Sequence, residues 1–179
     1  MPPEPLVVAA TAAEAAHVPS GLTVLVTGIG KVQATLLTTL ALAERRPSVV
    51  LNIGTAGALA GATGLRLPSV VVNHDFSAAE LRLLGYDAVD RIEIAGGDGT
   101  VLASGDTFVN DPAVRDGLAA HAALVDMEGF AVAAVAGHFG VPVRLVKHVS
   151  DQADESAMDW PQAVDASARL LGEWLRENV

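Results

Sequence analysis

Asp151 follows Ser150 at the end of an apolar run, Val141-Pro-Val-Arg-Leu-Val146, that reads as a strand. A carboxylate leaving a strand at its C-terminal edge stands where open α/β folds bind ligands. Asp is equally a turn former or a helix cap, and on this segment alone both readings stay open. Other segments repeat the pattern. Val26-Thr-Gly-Ile-Gly-Lys-Val-Gln-Ala34 reads as a strand entering a helix through a Gly-rich turn. Leu51-Asn-Ile-Gly-Thr-Ala-Gly-Ala58 reads as a strand ending in a Gly-rich turn, and Val125-Asp-Met-Glu-Gly129 brings two acids to the start of a small-residue helix. Glu14 lies in a further segment, three residues after Thr11 and beyond a first apolar stretch.

The elements that must hold these groups follow from the apolar pattern. Leu6–Ala10 predicts a buried first strand, followed by a short helix over 12–17 capped by Thr11. Leu22–Thr27 alternates little and predicts a strand buried on both faces. A helix over 31–44, a strand over 49–53 and a strand over 69–73 come next. The stretch 75–98 is ambiguous: Ala78–Leu84 suits a short helix or a bulged strand. Beyond it come a strand over 100–103, a helix capped by Asp111 with Pro112 at its first position, a strand over 122–127, a helix over 128–139 ending at Gly140, and a strand over 143–149. Trp160-Pro161 opens a closing amphipathic helix, with Val164, Ala168, Leu171 and Leu175 on one face. Strands alternating with helices predict a three-layer α/β/α sandwich around a central mixed, largely parallel sheet. The length of 179 residues suits a single domain, 1–179.

Composition narrows the function. Net charge is −10, from 11 basic and 21 acidic side chains, which argues against nucleic acid as a partner. A neutral or zwitterionic small molecule fits better than a highly anionic one. The apolar runs are all shorter than the roughly 18 residues that cross a bilayer. The Met1-Pro-Pro-Glu-Pro5 start has no basic region of the kind a secretory signal carries. There is no cysteine, so disulfides and thiolate metal sites are excluded. A cytoplasmic location is the expectation.

Taken in order, the Gly28-Ile-Gly30, Gly54-Thr-Ala-Gly57, Asp126-Met-Glu128 and Ser150-Asp151 segments resemble the nucleoside phosphorylase/nucleosidase superfamily. Within it the chain looks most like the methylthioadenosine/S-adenosylhomocysteine nucleosidases. The resemblance spans nearly the whole chain, with two apparent trims: a strand meander before the Gly28-Ile-Gly30 strand, and a helix before Ser104-Gly-Asp106.

Cleaving an N-glycosidic bond asks for an acid to protonate the leaving purine, stabilisation of an oxocarbenium-like sugar, and a nucleophile at the anomeric carbon. The resemblance implies that Asp151 is the acid, oriented by Ser150, and that Glu14 activates water. Glu128 matches the ribose site, where a carboxylate accepts hydrogen bonds from vicinal hydroxyls, with Met127 against the sugar. Asp126 stands where the family has Glu. Thr55 replaces a common Ser and offers a hydroxyl to the water or to Asp151. Phe108 and the Val109 backbone match the adenine site. Lys147 stands where the family often has Arg near the water, keeping the charge but losing the fork geometry. Trp160 suits the wall over the 5′ substituent, the core or a dimer interface alike. The alternatives for the acids are ordinary ones: a helix-start carboxylate for Glu128 and a surface side chain for Glu14.

His74, His121 and His138 show no metal-ligand spacing, His17 and His148 merely adjoin the motifs, and Gly28-Ile-Gly30-Lys31 is neither a complete dinucleotide fingerprint nor a phosphate loop. No cofactor or metal is implied. Phosphate would need several charge-assisted donors, whereas only Lys31 and Lys147 are near and no Arg precedes Gly54. The early Gly-Asp-Pro segment of the phosphorylases is also missing. Arg66 remains a loose phosphate candidate, and Arg45 and Arg46 suit a solvated helix end. The expectation is therefore a hydrolase, with a homodimer implied by the family. The rivals are a phosphorylase, a hydrolase of another purine nucleoside such as futalosine, inosine or adenosine, and a nucleoside-binding protein without turnover.

Overall fold

Side chains of the first strand alternate between two separate cores. Leu6 and Val8 pack with Ala34, Leu42, Val132 and Ala136, while Val7 and Ala9 pack with Leu171 and Leu175. A strand covered on both faces in this way belongs to the middle layer of a three-layer α/β/α structure. The computed structural model describes residues 3–179, apart from the side chain of residue 156. Met1 and Pro2, part of the segment expected to lack a signal, lie outside the described residues.

The elements are β1 (Leu6–Ala9), β2 (Thr23–Val26), α1 (Lys31–Glu44), β3 (Val50–Ala58), β4 (Leu65–Arg66), β5 (Val70–Asn73), α2 (Ala78–Leu83), β6 (Arg91–Glu93), β7 (Val101–Ser104), α3 (Pro112–Ala119), β8 (Leu124–Asp126), α4 (Gly129–His138), β9 (Val143–Asp151), a 3-10 turn over Glu155–Asp159, and α5 (Trp160–Asn178). The nine-stranded sheet runs β2-β1-β3-β8-β7-β5-β6, with β9 beside β3 and β4 on β9. It is mixed and mainly parallel: β1 with β2 and β3, β3 with β9, β5 with β7 and β7 with β8 are parallel. The antiparallel pairs are β3 with β8, β4 with β9 and β5 with β6. Helices α1 and α4 cover one face, and α5 covers the other.

Local sequence explains most boundaries. Asp111 caps α3 by accepting the Ala113 N–H at 2.7 Å, and Pro112 needs no donor there. Gly140 closes α4 at φ +66. The predicted face of α5, Val164, Ala168, Leu171 and Leu175, is fully buried. Among the described residues no helix is long and apolar enough to cross a membrane.

Three expectations are corrected and two strands are added. β2 is an edge strand, so its side chains are mostly exposed rather than buried on both faces. Residues 12–17 form turns and no α-helix: after the Ala15 N–H bonds the Thr11 carbonyl, Ala16 and Val18 bond only three residues back, to Ala13 and Ala15. The Gly54–Gly57 segment is no turn: β3 continues through it to Ala58. β4 and β6, which pass unmarked in the sequence, are too short to show a period. The ambiguous 78–84 stretch resolves as α2.

Candidate active site

Because β1, β3 and β9 are parallel, their C-terminal ends share one edge, and β8, antiparallel to β3, meets that edge where Val125 pairs with Gly57. A cavity of about 470 Å³ opens there. Glu14, Thr55, Phe108, Val109, Met127, Glu128, Ser150, Asp151 and Trp160 all line it. Lys147, expected beside the water, is absent from the lining and buried behind it. Ile29, Ala157 and Met158 complete the wall without having been singled out in the sequence.

The glycines of β3 admit the carboxylates. A Cβ on Gly54 would sit 3.0 Å from Glu14 Oε1, and one on Gly57 would sit 3.0 Å from Asp151 Oδ1 and 3.0 Å from the Ala153 Cβ. The Gly-Thr-Ala-Gly motif is thus a strand stripped of side chains where two acids approach its backbone.

Glu14 is buried and held by two threonines. Its Oε2 accepts from the Thr11 N–H at 3.1 Å and the Thr11 hydroxyl at 3.0 Å. Its Oε1 accepts from the Thr55 N–H at 2.8 Å and the Thr55 hydroxyl at 3.0 Å. The Glu14 N–H returns a bond to Thr11 Oγ1 at 3.2 Å, so Thr11-Ala-Ala-Glu14 forms a capping box without a helix behind it. That Thr-x-x-Glu spacing was the available signal for the first partner.

Asp151 Oδ2 accepts the Ser150 hydroxyl at 2.6 Å, and its Oδ1 accepts the Ala153 N–H at 2.9 Å. Ala153 adopts φ +50, a left-handed backbone uncommon for a non-Gly residue, directly after the turn that brings its amide to the acid. Glu128 stands at the N-cap of α4, and its carboxylate reaches across to the start of α1, where Gly30 donates its N–H to Oε1 at 2.8 Å. Burial, together with the neighbouring Asp126 charge, pushes the Glu128 carboxyl up to about 7, against the opposing pull of Lys147 and the Gly30 N–H.

Asp126, itself among the lining residues, ties the wall to a buried cation behind it. Lys147 Nζ is 2.8 Å from Asp126 Oδ2. Asp126 also accepts from the Ser104 hydroxyl and from the Gly129 N–H, the latter at 3.0 Å. Burial opposes the Lys147 charge, but Asp126 and Glu128 outweigh it and hold the ammonium above its ordinary range. Lys147 therefore meets the cavity wall through Asp126 and does not itself reach the lining.

A family model described as the phosphorylase superfamily matches residues 20–91 and 74–176. The chain belongs to the phosphorylase superfamily. Among its relatives, a 5′-methylthioadenosine/S-adenosylhomocysteine nucleosidase of Geobacillus kaustophilus is 33% identical over 174 residues, covering 82% of this chain and 74% of that one. An aminodeoxyfutalosine nucleosidase of Helicobacter pylori is 30% identical over 177 residues, covering 84% and 76%. The same fold recurs in a mutant Helicobacter pylori nucleosidase solved with 5′-methylthioadenosine in its active site: the TM-score is 0.87, with 26% identity over 99% of this chain and 98% of that one.

For a phosphorylase-superfamily protein, the placement of cations matters. Lys31 Nζ contacts Asp75 and, at 2.9 Å, Asn73 Oδ1, and its backbone N–H donates to Asp106 Oδ1 at 2.8 Å. Both lysines near the motifs are thus committed to acids, and among the described residues neither Arg nor Lys lines the cavity. Arg66 lies on β4, Arg45 pairs with Glu4, and Arg46 donates to the Phe139 carbonyl at 2.7 Å. The histidines are placed apart from the cavity lining: His17 bonds Asp165 and His148 bonds Ser167. Among the described residues no group of three or more His, Asp or Glu could hold a metal ion.

Proposed function

We propose that the protein is a single-domain nucleosidase that hydrolyses a 5′-substituted adenosine, methylthioadenosine or S-adenosylhomocysteine, to adenine and the free ribose derivative. The observation that carries this reading is the convergence of Glu14, Glu128 and Asp151 on one cavity with no cation among the described residues that line it. A carboxylate-lined cavity suits a reaction that builds positive charge on the sugar. A phosphate nucleophile would find no charge-assisted donor there.

In the reaction, Asp151 gives its proton to purine N7 as the bond from C1′ to N9 breaks and N9 takes the electron pair. Glu128 accepts hydrogen bonds from the ribose hydroxyls, and Met127 lies against the sugar. Glu14 takes a proton from the water whose oxygen bonds C1′. Phe108 stacks on the base, and the Val109 backbone reads its edge. Ser150 fixes Asp151, and Thr55 fixes Glu14.

A second reading, hydrolysis of a futalosine-type nucleoside, is favoured by the likeness to the aminodeoxyfutalosine nucleosidase. The proposal includes a cytoplasmic homodimer. An apolar stripe on α1 supports the dimer: Val32, Leu36 and Leu40 are 73%, 50% and 58% exposed at helical spacing. Adenine release from methylthioadenosine, with and without phosphate, for wild type and Asp151→Asn tests the activity. Release that ignores phosphate and is lost in the variant is expected; release that requires phosphate would overturn hydrolysis.

A further inference from the structure

Trp160 opens α5 at the cavity mouth, and its indole has a polar tip with a specific partner. Trp160 Nε1 donates to Thr55 Oγ1 at 2.8 Å, and Thr55 Oγ1 donates to Glu14 Oε1 at 3.0 Å. A threonine hydroxyl has one proton and two lone pairs. An indole N–H only donates, so Thr55 must accept from it and direct its own proton elsewhere. The carboxylate oxygen 3.0 Å away is the acceptor that the geometry provides.

We propose that Trp160 is a positioning residue for Glu14, acting through Thr55, and that seating the first turn of α5 completes the water-activating group. This rests on the assignment of Glu14 as the group that activates water. Ala157, Met158 and Pro161 line the same cavity, so one segment both walls the substrate and bonds to the support of the base. The contact joins α5 to β3 across 105 residues of sequence. With the indole withdrawn, the Thr55 hydroxyl is free to rotate and Glu14 Oε1 keeps only the Thr55 backbone N–H. Closure of the cavity and orientation of the base are then one event, which confines water activation to the covered site.

The test separates this role from that of a wall. Trp160→Phe keeps an aromatic surface and removes the N–H. Thr55→Val keeps the shape and removes the hydroxyl. Trp160→Phe should lower kcat roughly tenfold with KM changed less than about twofold. In the Thr55→Val background it should cost nothing further in kcat. A change confined to KM, or losses that multiply in the double variant, would overturn the proposal. Exchange of the Trp160 indole N–H, assigned by its loss in Trp160→Phe, reads the link without turnover. It should be protected in wild type and lose that protection in Thr55→Val; unchanged exchange would overturn the link. If wild type releases no adenine from methylthioadenosine, the hydrolase reading fails on that substrate, and indole exchange alone decides the contact.

Discussion

Lys147 Nζ lies 2.8 Å from Asp126 Oδ2, with both side chains sealed from solvent. Removing one partner of such a pair leaves a buried charge alone and costs about 3–5 kcal/mol. Lys147→Met should therefore lower unfolding free energy by about that amount, and Asp126→Asn added to it should recover part of the loss. Urea unfolding of the single and double variants measures both. Additive losses would show that the two groups do not interact.

The acids resting against β3 predict an effect of adding one carbon. Gly57→Ala places a Cβ 3.0 Å from both Asp151 Oδ1 and Ala153 Cβ, and 3.2 Å from Val125 Cγ1. The carboxylate must shift, and a misplacement of about 1 Å at a reacting group costs on the order of 10²-fold in rate. A fall of that size in kcat, with circular dichroism unchanged, is expected. Full activity would remove the need for the close approach.

The raised Glu128 carboxyl predicts a pH dependence of stability. Its ordinary value of 4.5 is pushed to about 7, so between these pH values the folded state binds more proton than the unfolded state. The stability contributed by this group is complete below 4.5 and is lost as pH rises through about 7. Glu128→Gln should flatten that part of the stability profile of the ligand-free protein. A profile whose slope over this range survives the substitution would place the proton elsewhere.

The α5 face gives a prediction remote from the acids. Leu171 is fully buried against β1 and β3. Leu171→Ala should cost about 2–5 kcal/mol, through lost burial and the cavity left behind. Thermal unfolding should show this loss, while adenine release per folded molecule stays near that of wild type.

What was legible in the sequence follows what parallel strands do. Thr55 and Asp151 sit late on β3 and β9, Glu14 follows β1, and parallel pairing gathers all of them at one edge. The periodic face of α5 was visible for the same reason, since one buried stripe leaves a 3.6-residue pattern. β2 misled because Val24, Leu25 and Val26 are as apolar as a central strand, and only topology makes it an edge. Gly54 and Gly57 carry a turn's composition, while their purpose lies in side chains from distant segments. The Trp160–Thr55 bond and the Lys147–Asp126 pair leave no local trace, because neither partner lies near the other in sequence.

The placement of β9 bears on how the chain is made. β9 follows β3 by more than eighty residues, yet it registers with β3 from Val50↔Val143 to Gly57↔Asp151. During synthesis β3 exists with this edge unpaired until residues 143–151 have emerged. Such an open edge on an apolar strand is a template for the wrong neighbour. Asp151 arrives with the strand that closes the edge, so the cavity that it lines is incomplete until β9 is in place. A chain stopped before β9 should be recognised by chaperones and not by nucleosides.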